Sequence, residues 1–179
     1  MIHVMEISII LLSILQAMAV SLGVGSSTLA VLNFFVALKD GKIDEQERSL
    51  MEVVYVVLRV AMVAILVTTL LLAAIYISQS DLVMYMSSFK VAFWTLIFVL
   101  YLNAFLMTKH VISSKFGPAI QAATWYTMGV IMALMSLGLQ DFYFYQFAVG
   151  YMLAIVSAVV LINAVLQHLR KNNKPRNVF

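Results

Sequence analysis

The chain has no cysteine, which removes disulfides, thiolate metal sites, iron–sulfur clusters and cysteine nucleophiles together. Charge is scarce as well: 11% of residues are Asp, Glu, Lys or Arg, where a soluble domain carries ~25%. Hydrolytic and phosphate-binding signatures are missing too, with no Gly-x-Ser-x-Gly elbow, no HExxH, no phosphate loop and no paired carboxylates within an apolar run. Nucleic acid is excluded as a partner, because the net charge of +3 is small and sits in short polar stretches.

What remains is 64% hydrophobic, and a small water-soluble globule cannot hide that much apolar surface. The solvent of this chain is therefore the lipid bilayer. The expected fold is all-α, a single membrane domain of five transmembrane helices over residues 7–38, 45–78, 89–108, 118–139 and 142–168, with a tail at 169–179. Asp44 with Glu47 three residues on reads as a capping box opening the second helix. The same loop resembles half an EF-hand, but Val36 and Leu38 stand where two ligands are needed, so no calcium site is expected. Gly23-Val24-Gly25-Ser26-Ser27-Thr28 predicts a kink or unwinding in the middle of helix 1. Ala17-Met18-Ala19 resembles a cleavage site, yet the segment before it carries Glu6 and no basic cluster, so it is expected to stay as helix 1.

Nine of the eleven Lys and Arg residues lie in the first loop, the third loop and the tail: Lys39, Lys42, Arg48, Lys109, Lys115, Arg170, Lys171, Lys174 and Arg176. The other side has Glu6, Asp81 and Asp141 against Lys90 alone. The positive-inside rule then puts the N-terminus outside and the C-terminus in the cytoplasm, in what reads as a prokaryotic inner membrane. The aromatic run Phe142-Tyr143-Phe144-Tyr145 suits an interface belt on the outer side.

Arg59 is the residue that asks for a function. It lies inside helix 2 on the face it shares with Glu52 and Tyr55, and an ionisable group within a span is costly unless it faces a cavity or snorkels. At similar depth the other helices supply Asn33, Asn103, Gln121, Thr124 and Asn163. Together these eight residues are the candidate substrate-binding set, a polar pocket open to the cytoplasm that would favour a small polar or anionic solute. The competing reading is interhelical glue, with Asn and Gln bonding across helices at ~0.6–2 kcal/mol each.

Three functions follow as expectations. The first is a small transporter or channel-like protein. The second is a non-catalytic membrane assembly partner, helped by small-residue ladders at Ala17, Ser21 and Gly25 and at Gly150, Ala154 and Ala158 that would also allow a homo-oligomer. The third is a haem- or quinone-linked redox protein. No cofactor is expected, but His110 and His168 are the two residues that would ligate a haem b. The methionine stripe Met128, Met132 and Met135 reads as adaptable core rather than a copper site. Catalytic and metal-binding residues are expected to be absent.

Overall fold

The computed structural model describes residues 2–40, 45–78, 87–109, 111, 116–139 and 142–172. The Asp44 cap, the break at 79–81, His110, Lys115, the Gln140–Asp141 turn and the tail from residue 173 lie outside the described residues. Five helices make up the described secondary structure: α1 (Ile2–Asp40), α2 (Glu45–Ser78), α3 (Ser88–Thr108), α4 (Gly117–Ser136) and α5 (Phe144–Asn172). All five contain a stretch long and apolar enough to cross a membrane. Large side chains along α1, among them Ile7, Leu11, Ile14 and Met18, stand more than half exposed. Such a surface is compatible with lipid and costly in water.

Packing is centred on α4, which touches α1, α3 and α5, while α1 runs closely along α2. Small residues explain the hub. Gly117, Ala119, Ala122 and Ala123 are all buried on α4 and let neighbouring backbones approach. Between them sit large side chains with no exposed surface: Trp125 and Met128 on α4, Ile65 on α2, Leu96 and Leu100 on α3. Lipid offers no hydrophobic drive between helices, so this close packing must come from dispersion and interhelical hydrogen bonds.

Helix α1 is a continuous α-helix through Gly23–Thr28, so the unwinding considered for this stretch does not occur. The hydroxyls of Ser27 and Thr28 donate to the Val24 carbonyl at 3.2 and 2.7 Å, inside an intact ladder. Gly23 instead serves contact: a Cβ there would fall into the indole ring of Trp125. Gly25 has open space around the same position.

Helix α1 runs from Ile2 to Asp40 and α5 to Asn172, both longer than the sequence reading, and two other ends differ for a visible reason. Helix α4 stops at Ser136, three residues early, because Gly138 turns left-handed with φ 72°. Leu139 N–H then donates to Leu134 C=O and Gly138 N–H to Met135 C=O, both at 3.1 Å, the pattern of a Schellman cap. Helix α5 starts at Phe144 rather than 142, and the Gln146 side chain reaches back to accept from Tyr143 N–H at 3.0 Å. The aromatic run splits accordingly. Phe142 packs edge-on against Phe89 with ring centroids 4.3 Å apart, while Tyr143 and Tyr145 stack on the exposed side at 5.6 Å.

Candidate functional site

One cleft of about 210 Å³ lies between four helices. Its walls come from Ser27, Ala30, Val31 and Phe34 on α1 and from Met51, Tyr55, Leu58, Arg59 and Met62 on α2. Ala104, Met107 and Thr108 on α3 and Pro118 and Gln121 on α4 complete them. These are the end of α1, the first half of α2, the end of α3 and the start of α4. The cleft therefore sits at the bundle end that carries Lys39, Arg48 and Lys109.

Burial divides the cleft into a rim and a floor. Tyr55, Arg59 and Thr108 are exposed on the rim, and Ser27, Leu58, Met62 and Gln121 are buried below. Among the described residues Arg59 has no ion pair or hydrogen bond, since Glu52 turns outward to Arg48 at 3.9 Å. The wall beside the guanidinium is mainly apolar, and nothing among the described residues takes its donors. The floor is held by a short chain of amides. Asn103 Nδ2 donates to Gly117 C=O and to Gln121 Oε1, each at 3.0 Å, and Gln121 Nε2 donates to Met62 Sδ at 3.6 Å. A thioether is a weak acceptor, so Gln121 keeps unspent donor capacity facing the cleft.

Of the eight candidate residues, Arg59, Tyr55 and Gln121 line this cleft, and Asn103 braces Gln121 from behind. The other four do not line it. Glu52 faces outward with Arg48. Thr124 is fully buried and shares a 2.7 Å hydrogen bond with the Tyr151 hydroxyl, tying α4 to α5. Asn33 is half-buried beside the cleft residue Phe34, and its Nδ2 has no hydrogen-bond partner among the described residues. Asn163 is exposed on α5.

Further along the bundle the core residues Ile65, Leu96, Leu100 and Trp125 have no exposed surface. There a second polar contact appears that the sequence reading missed. Gln16 Nε2 donates to Thr69 Oγ1 at 2.8 Å, beside a cavity of about 10 Å³ also lined by Lys90, Trp94 and Met135. A lone glutamine in the apolar run of α1 was the available signal. The Lys90 ammonium lies 5.6 Å from the Tyr76 ring centroid, within cation–π range.

The haem reading gains no geometry: His168 is exposed on α5, and His110 lies outside the described residues. Among the described residues no cluster of three His, Cys, Asp or Glu side chains is placed to hold a metal ion. Comparison with protein-family models, curated proteins and solved structures finds no match to this chain.

Proposed function

We propose that this protein is a small transporter or channel-like membrane protein that takes an anionic solute into the Arg59 cleft from the cytoplasmic side. The observation that carries the reading is a guanidinium that has no partner among the described residues, on the rim of a cleft whose floor holds the under-used amide donor of Gln121. Ionisable groups inside a span are retained where they meet a substrate, a partner charge or water. Here the neighbouring carboxylate is committed elsewhere, so an incoming anion supplies the partner. The charge asymmetry supports an orientation with the N-terminus outside and the cleft facing the cytoplasm. Passage would need the Ile65–Trp125 layer to part.

Reconstituted vesicles test this directly. With valinomycin carrying potassium, swelling in potassium chloride, phosphate and succinate reports anion entry through the protein. Flux that disappears in Arg59→Gln while the helical signal stays intact is the expected result. A second reading, a non-catalytic assembly partner, is favoured by the bonds Asn103–Gln121, Thr124–Tyr151 and Gln16–Thr69, all of which join helices. It gains if no anion moves and Asn103→Leu lowers stability. An absorption spectrum of the purified protein, oxidised and then reduced, decides the haem alternative by the presence or absence of a Soret band.

A further inference from the structure

The cleft lining is mostly hydrocarbon and thioether; Arg59, Gln121, Tyr55, Ser27 and Thr108 are its polar side chains, and Ser27 and Thr108 spend their hydroxyl donors on their own helix backbone. Phe34, Leu58, Met51, Met107 and Met62 supply the apolar wall, and Arg59 and Gln121 are the strongest polar groups set in it. Small hydrophilic anions such as phosphate gain nothing from that wall and must shed water to touch it. Methylene groups gain from it, and methionine side chains adapt to flexible chains. The volume of about 210 Å³ has room for roughly seven water-sized groups at ~30 Å³ each. That matches a short alkyl or acyl segment below a single charged head.

We infer that the cleft binds an amphipathic monoanion, a carboxylate or phosphate head on an apolar chain, with the head on Arg59 and the chain among the three methionines. The inference rests on the proposed solute site and narrows its ligand class. Arg59 suits this role because its guanidinium is weakly hydrated and meets carboxylate or phosphate oxygens in a bidentate fork. Tyr55 shares the rim and offers a hydroxyl donor to the same head, while the Thr108 hydroxyl already donates to Ala104 C=O at 2.9 Å. A hydroxyl or carbonyl further down the chain would find Gln121 Nε2 in place of the Met62 sulfur. The head can come from water, as a free medium-chain acid, or from the bilayer, as a lysolipid. Both present the same chemistry to the site.

Thermal unfolding of the full chain in phosphatidylcholine nanodiscs, with octanoate, propionate, inorganic phosphate, octanol and lysophosphatidate as probes, tests the assignment. Octanoate is expected to raise Tm saturably where propionate and octanol do so weakly. Arg59→Gln is expected to weaken octanoate binding about ten- to hundredfold, the worth of a charge-assisted hydrogen bond. Ala104→Leu, which narrows the wall, is expected to weaken octanoate more than propionate; Ala30→Leu repeats the test should the first variant fail to fold. Protection by lysophosphatidate alone assigns the bilayer as the source and upholds the chemistry. Phosphate or propionate protecting as well as octanoate, with both wall variants silent, overturns the amphipathic ligand and leaves an anion site standing. No protection by any anion sinks both.

Discussion

At residue scale, Gly23 and Gly25 separate two uses of glycine that look alike in sequence. A methyl at Gly23 meets the Trp125 ring, whereas one at Gly25 meets nothing within 4 Å. Gly23→Ala is expected to cost about 1–3 kcal/mol, the usual penalty for overpacking, and Gly25→Ala to be neutral or slightly stabilising. Reversible unfolding in mixed micelles reads both. Asn103 allows a second test, because its Nδ2 serves Gly117 C=O, Gln121 Oε1 and the Met107 sulfur while its Oδ1 is buried with no partner among the described residues. Asn103→Leu is expected to cost about 1–2 kcal/mol and to loosen Gln121, which would weaken any ligand held at the cleft floor. Arg59, Asn103 and Gln121 were legible in the sequence because a strong polar group stands out in an apolar run. The direction each one faces was not: Glu52, seven residues from Arg59, shared its face by periodicity and yet turned to Arg48. The sulfurs of Met51, Met62 and Met107 gave no signal, since methionine reads as ordinary core until its neighbours are known.

At the scale of elements, apolar length marked all five helices, but their ends obeyed local hydrogen bonds that hydropathy does not register. The apolar run of α4 continues through Leu139, while the helix is ended by the left-handed Gly138. Gly138→Ala is expected to cost about 1–2 kcal/mol from the left-handed strain on a Cβ, seen as a lower unfolding midpoint with the Arg59 cleft unchanged. Helix α5 begins late because Gln146 caps Tyr143, a bond no apolar count contains. The Gly23–Thr28 stretch was legible as a kink or an unwinding, and it is not unwound. Its hydroxyls fold back on Val24 within the helix, so polar residues that suggested a break are satisfied without one.

At the scale of the whole molecule, which helix touches which was beyond reach of the sequence. The cluster of small residues between Gly117 and Ala123 marks α4 as the hub only in hindsight, since the ladders of α1 and α5 looked equally fit for close approach. The orientation can be checked cleanly because the chain has no cysteine of its own. In right-side-out vesicles, Val4→Cys is expected to react with a membrane-impermeant maleimide and Gln167→Cys only after the membrane is opened. Both positions are exposed, and five crossings put them on opposite sides, so one of the two should react before the membrane is opened. The reverse pattern would put the cleft on the outer side and turn the proposed uptake around.

The central place of α4 also sets an order of assembly as the chain leaves the ribosome. Helices α1 and α2 pack along each other and can pair as soon as both are inserted. Helix α3 touches α2 only slightly, and the acceptors for Asn103, the Gly117 carbonyl and the Gln121 side chain, belong to a helix not yet made. Until α4 arrives, a buried amide of the finished protein lacks both oxygen acceptors and has only the Met107 sulfur of its own helix to donate to. That interval is when a nascent chain would be held by an insertase or passed to a membrane protease, and when a substitution in α4 would be felt before folding is complete.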